Sequence, residues 1–197
     1  MQVSHPAAAS LTIRLPNCAA MSDAMPPGPA PTRREICFDP SEVIVSKTDL
    51  KGRITYCNRV FIRISGYDEK TLLGAPHSIV RHPDMPRCVF KLLWSMLAAG
   101  QEVFAYVKNL ARTGDHYWVM AHVTPSRDAS GAIVSYHSNR RVPERSAVDA
   151  VTLLYAELAA IERNADDRKL GMHAAYRHLT GLLKTRGLGY DEFALSL

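Results

Sequence analysis

An α+β domain, built on a five-stranded antiparallel sheet with short helices on one face, is the fold class this sequence predicts. Three observations lead there. Short β-patterned runs with turn chemistry lie on both sides of one well-bounded helix. The run His116 to Thr124 alternates Tyr117, Val119, Ala121 and Val123 with His116, Trp118, Met120 and His122, so both of its faces carry material to bury. The chain then closes on two stretches of helical periodicity.

Taken in order, residues 1–38 read as a disordered Pro/Ala-rich leader, in which Met25 to Thr32 alone carries four prolines that suit neither helix nor ladder. Met21 is an alternative start to Met1. The folded domain is placed at 39–145. It opens on a hairpin, with the apolar run Val43, Ile44 and Val45, a turn at Asp49 to Gly52, and a second β-type run from Arg53 to Cys57. Asn58 to Val80 is punctuated by Gly66, Gly74 and Pro76, which predicts brief helices in tight loops. The longest helix of the domain follows, with Asp84 expected as its cap, Pro86 in its first turn and Gly100 just past its end. Three strands succeed it, Val103 to Leu110, His116 to Thr124 and Ile133 to Asn139, joined by turns at Arg112 to Asp115 and Asp128 to Gly131.

Residues 146–197 form a helical segment. Val148, Val151, Leu154, Tyr155, Leu158 and Ile161 recur at threes and fours, and Leu170, Tyr176, Leu179, Leu182 and Leu183 are expected to share one side of a second helix that stops at Gly187. A hairpin that docks on the sheet, or that dimerises, is the expectation.

Composition narrows the function. The 197 residues suffice for one domain of about 100 to 150 residues plus flanks, and 47% hydrophobic with 22% charged residues is ordinary for a globular chain. The net charge of +5 comes from scattered residues, which reads as a solvated surface and not as a nucleic-acid face. No run reaches the roughly 18 to 20 apolar residues of a membrane span; Val89 to Ala99 is broken by Lys91 and Ser95. Pro6, Arg14 and Pro16 interrupt any export signal, so a cytoplasmic protein is expected. Cys18, Cys37, Cys57 and Cys88 lack metal-ligand spacing and read as free thiols. No set of nucleophile, base and orienter, no phosphate-cradling glycine loop and no catalytic carboxylate pair is visible, so the expectation is not an enzyme.

The motifs say more. Thr48-Asp-Leu-Lys-Gly52, Ile54-Thr-Tyr-Cys-Asn58, Ser65-Gly-Tyr67, Val80-Arg-His-Pro-Asp-Met-Pro86, Val107-Lys-Asn109 and Gly114-Asp-His-Tyr-Trp118 resemble PAS domains, and specifically the PAS domain of bacterial aerotaxis receptors. The resemblance runs from about Ser41 to Arg145, and the strings Arg81-His-Pro-Asp-Met-Pro86 and Gly114-Asp-His-Tyr-Trp118 are its most specific parts. It implies a PAS fold that holds FAD non-covalently and reports redox state or oxygen supply by protein contact. Carried over by motif, the implied cofactor-binding residues are Asn58, Arg81, His82, Asp84, Trp94 and Asn109. Aerotaxis receptors continue into a membrane anchor and a methyl-accepting coiled coil that this sequence lacks, so a stand-alone sensor is expected.

Residue chemistry leaves alternatives beside that reading. Asn58 and Asn109 are amides that suit a flavin's pyrimidine edge, or else a helix cap and a solvated turn. Arg81 and His82 suit a pyrophosphate beside a helix start. Trp94 flanks a ring or simply fills the core, and Trp118 is equally open. In Gly74-Ala-Pro-His-Ser78, His77 takes the place of the reactive cysteine of flavin photoreceptors, so adduct chemistry is not expected. His77, His82 and His116 keep a haem gas sensor open as an alternative, and a cofactor-free interaction module is the other. The expected partner is a receptor, a kinase or a second copy, reached through the C-terminal helices.

Overall fold

Residues 28–197 are described by a computed structural model. Five strands, β1 (Ile44–Thr48), β2 (Ile54–Cys57), β3 (Val103–Leu110), β4 (His116–Arg127) and β5 (Ile133–Arg141), form one antiparallel sheet in the order β2-β1-β5-β4-β3. Between β2 and β3 run α1 (Arg59–Ser65), α2 (Glu69–Leu72), a 3-10 turn at His77–Val80 and α3 (Arg87–Ala98). After β5 come α4 (Arg145–Arg163), α5 (Arg168–Arg186) and a short α6 (Tyr190–Leu195) that periodicity alone does not reveal. The expected architecture is present, and its order follows from the hairpins: β1 pairs β2, β3 pairs β4 and β4 pairs β5, which leaves β5 to close the sheet against β1.

Strand ends differ from the pattern in an instructive way. Alternation stops at Asn139, but β5 continues to Arg141 because its neighbours on both sides still offer ladder partners: Arg140 stands opposite Ile44 of β1 and Ala121 of β4. A central strand extends as far as its neighbours do. Position 140 therefore becomes an inward-facing site.

The cap of α3 is a correction. Asp84 does not cap it; the N-cap is Pro86, with extended backbone and no side-chain hydrogen bond. A residue before proline is held out of the helical region, so α3 starts after Pro86, beyond the reach of Asp84. That carboxylate turns instead to Lys108 Nζ at 2.8 Å. The unpaired amides at the start of α3 are met from the far end of the chain: Glu162 accepts from Arg87 N at 3.0 Å and from Cys88 N at 2.7 Å.

The C-terminal helices dock on the domain. Alternation turns Tyr106 and Trp118 away from the inner face of the sheet, and both are buried, Trp118 stacked on Tyr155 at 6.4 Å and the Tyr155 hydroxyl donating to Tyr106 O at 2.8 Å. Asp191 of α6 accepts from Phe104 N at 2.9 Å, so the free edge of β3 is covered. The expected stripe of α4 holds, with Val148, Val151, Tyr155 and Leu158 buried. That of α5 holds in part: Leu179 and Leu183 are buried, with Gly171 and Ala175 beside them, while Leu170 is 66% exposed and Leu182 is on the surface. Small residues took the contact face because α5 lies close on α4; a Cβ on Gly171 would stand 2.5 Å from the Glu162 carbonyl oxygen.

The leader boundary also shifts. Residues 1–27, with Cys18 and Met21, lie outside the described residues, but the segment from Gly28 to Phe38 is placed on the domain. Thr32 N donates to Gly114 O, Ile36 N to His116 O and His116 N to Arg34 O. Asp115 secures it, accepting from Thr32 Oγ1 at 2.6 Å and from Arg34 Nε and Nη2 at 3.1 and 2.8 Å. These hydrogen bonds, Arg34 first, pull the Asp115 carboxyl down to about 2. Gly114 is needed for the approach, because at φ +87 a Cβ there would sit 2.2 Å from the Ala30 carbonyl oxygen.

Two outcomes are expected. Asp115→Ala frees the amides of Thr32 and Ile36 to exchange at least tenfold faster, while β4 and β5 keep their protection. In the wild-type chain the same release occurs in acid: the latch is complete above about pH 3.8 and is lost as pH falls toward about 2. Amide signals followed by NMR through that range check both.

Candidate functional site

Between α3 and the inner face of the sheet lies a cavity of about 130 Å³. Its apolar wall is supplied by α3, through Phe90, Leu93, Trp94 and Leu97, and by Val107, Ala121 and Val123 of β3 and β4. Amphipathic spacing explains the first set and strand alternation the second. Tyr136 stands edge-on to Trp94 at 5.5 Å. Gly52, at φ +74 in the β1–β2 turn, lets the Trp94 ring approach, since a Cβ there would meet the ring at 3.2 Å.

The polar lining includes Ser46 and Thr48 of β1, Asn109 of β3, Ser138 and Arg140 of β5, and His77 of the 3-10 turn. Ser46, Ser138 and His77 meet at Arg140. Arg140 is the unexpected member. It is 3% exposed, and among the described residues no carboxylate pairs with it. Its Nε donates to Ser138 Oγ at 3.0 Å, and Nη2 donates to Ser46 Oγ and to His77 Nε2, the latter at 2.7 Å. The guanidinium also lies over the Phe61 ring at 4.9 Å. Nη1 is buried with no partner. Burial pulls the guanidinium down to about 10, still a cation at neutral pH.

His77 is shaped by this neighbour. A guanidinium only donates, so the Nε2 atom facing it carries no proton. Burial first, and the Arg140 charge second, hold the imidazole down to about 3. His77 is thus a neutral acceptor that orients Arg140, and its ring stacks on Phe61 at 5.8 Å.

Of the six residues implied by motif, three line the cavity: Arg81, Trp94 and Asn109. Arg81 lies over the Phe90 ring at 4.0 Å, and its backbone bridges that of Asn109. The other three stand outside it. Asn58 caps α1, accepting from Phe61 N at 3.0 Å, and ties down β1 through Val43 O and Val45 N. Asp84 is exposed beside Lys108. His82 is buried, with Nδ1 accepting from Asp84 N at 3.1 Å and Nε2 unpartnered, edge-on to His116 at 5.9 Å. Trp118 faces away toward α4.

Sequence reasoning missed Ser46, Ser138 and above all Arg140. A signal for Arg140 existed in the chain, a second arginine before Arg141 at the end of a β-patterned run, but only the register against β1 and β4 turns it inward. His77 was singled out for the cysteine it replaces, not for the cation it orients. Cys57 and Cys88 are buried free thiols, and among the described residues no cysteine lines the cavity.

A family model described as the PAS fold matches residues 38–137. The aerotaxis receptor of Escherichia coli (strain K12) is 41% identical over 117 residues, covering 59% of this chain and 23% of the receptor. The nitrogen fixation regulatory protein of Klebsiella pneumoniae is 30% identical over 101 residues, covering 51% of this chain and 20% of that protein. The chain thus spans less than a quarter of the length of either. Among solved structures, a light-oxygen-voltage domain studied with a flavin analogue superposes with a TM-score of 0.52 at 18% identity, over 56% of this chain and 84% of that one, which shows a shared fold.

The titration of His77 gives a prediction. Its folded value lies below the 6.5 of a free imidazole, so the unfolded chain takes up the proton first. Its contribution to stability is complete above about pH 6.5 and declines as pH falls toward about 3. His77→Gln, which keeps an acceptor for Arg140 and removes the titration, should flatten that part of the urea-midpoint profile; an unchanged profile counts against the buried neutral imidazole.

Proposed function

The chain belongs to the PAS family through residues 38–137, and on that premise we propose that its cavity binds FAD without a covalent bond and that the protein senses redox state or oxygen supply. The unpartnered Nη1 of buried Arg140 is the observation that carries this reading. A buried cation with an unmet donor needs an acceptor carrying negative charge or partial charge. The carbonyl-rich edge of a flavin ring is such an acceptor, and its flat body suits walls made of Phe90, Leu93, Trp94 and Leu97. Asn109, also in the lining, would supply an amide, and Arg81 a second guanidinium for the pyrophosphate. FAD would bring a ring that exists in oxidised and reduced forms of different charge. Arg140, His77 and Ser46 are the groups on this chain that would respond to that charge.

The 41% identity to an aerotaxis receptor supports a sensory role, as does the regulator among the relatives. The protein would act without turnover, passing its state to a receptor, a kinase or a second copy. Two arrangements weigh against a haem sensor. His77 is the one of the three candidate histidines that lines the cavity, and its Nε2 is engaged by Arg140. His82 and His116 lie outside the lining.

Protein purified from flavin-rich cells, or reconstituted with FAD, should absorb in the blue with a flavin spectrum. A colourless preparation that gains no flavin band would refute the reading, and a Soret band would replace it with haem. Arg140→Met should weaken FAD binding at least tenfold, the scale of a lost charged hydrogen bond. Arg81→Ala should weaken it about fivefold by equilibrium dialysis, on the same scale for a less buried contact.

A further inference from the structure

Helix α3 has two working faces. One carries Phe90, Leu93, Trp94 and Leu97 into the cavity. The other is held by the C-terminal helices: Arg87 Nη1 donates to Arg168 O at 2.8 Å, Lys91 Nζ meets His173 Nδ1 at 3.0 Å and lies over the Tyr176 ring at 5.0 Å, and Glu162 receives the first two amides of the helix. No side chain of its own caps α3. The donors that a helix start must satisfy locally are here satisfied across 74 and 75 residues of chain.

Glu162 is itself placed by a close contact. It lies in the last turn of α4, and Gly171 lets α5 pack directly on its carbonyl. The pair α4–α5 therefore has to be assembled for the carboxylate to reach α3.

We propose that Glu162 is a positioning residue that couples the cavity to the C-terminal helices: docking of α4–α5 and occupancy of the cavity stabilise the same placement of α3, so each favours the other. The coupling rests on the FAD reading for the identity of the occupant. Two contacts that order one element share the cost of ordering it, which makes them cooperative without any large displacement. Linkage then requires reciprocity: whatever factor FAD adds to the docking of the helices, the helices add to the affinity for FAD. A signal from the cavity leaves the domain by this route, through the grip of Glu162 on Arg87 and Cys88.

The test compares wild-type protein with Glu162→Ala, Glu162→Gln and Gly171→Ala, each without and with FAD, by amide exchange and by FAD titration. In the absence of FAD, Glu162→Ala should speed exchange along α3 as far as Trp94; a change confined to Arg87 and Cys88 overturns the proposal. With FAD, wild-type α4 and α5 should gain protection, and Glu162→Ala should lose both that gain and about tenfold in FAD affinity, within the usual range of coupling between sites. Glu162→Gln, which keeps one acceptor oxygen, should lie between. Gly171→Ala should act as Glu162→Ala does although the carboxylate is intact, and wild-type affinity for FAD in either alanine variant overturns the coupling. Wild-type protein that takes up no FAD refutes the flavin reading alone, and the FAD-free exchange pattern then decides the role of Glu162.

Discussion

A guanidinium removed from water, with no carboxylate among the described residues to meet it, constrains everything around the cavity. Desolvating such an ion costs several kcal/mol, and the fold meets that cost with neutral acceptors from three places. Ser46 comes from β1, Ser138 from β5 itself and His77 from the 3-10 turn, while Phe61 of α1 offers its ring face. Arg140 thereby ties the two central strands to the helical layer at one point. It also dictates the state of His77, since a protonated imidazole against the guanidinium would place two cations in one buried site. One donor remains unmet. The same ion organises the polar side chains around it in the cavity lining.

The remainder of the cavity is apolar because of where α3 lies, and α3 lies where it does partly because of residues far along the chain. Proline at position 86 sets the start of the helix and removes the local cap. Glu162 then supplies it, and Tyr155 and Asp191 fasten the same C-terminal unit to Tyr106 and Phe104 of β3. The segment after Arg145 is thus part of the domain's packing. It buries Trp118 and covers a sheet edge that would otherwise expose unpaired backbone.

The two most specific motif strings divide between structure and site. In Gly114-Asp-His-Tyr-Trp118, glycine admits the Ala30 carbonyl, Asp115 latches the segment before β1, and Trp118 packs under Tyr155. In Val80-Arg-His-Pro-Asp-Met-Pro86, only Arg81 reaches the cavity lining; His82 and Asp84 form a separate knot with Lys108, and Pro86 sets the helix start. A motif records every residue that a local shape requires, and most of those requirements are backbone geometry.

The sequence by itself determined the element types, the turn positions and the apolar faces of α3 and α4, because these depend on periodicity, on glycine and proline, and on side chains close along the chain. The resemblance of its motifs, and not those patterns, pointed to Arg81, Trp94 and Asn109, which line the cavity. Tertiary structure alone decided that Leu170 faces water, that Glu162 completes α3 and that Arg140 is buried. Each of these depends on which distant strand or helix lies opposite. The physical reason is register: one residue of shift along β5 would turn Arg140 to the other face of the sheet, and its pairing with β1 and β4 fixes which face that is.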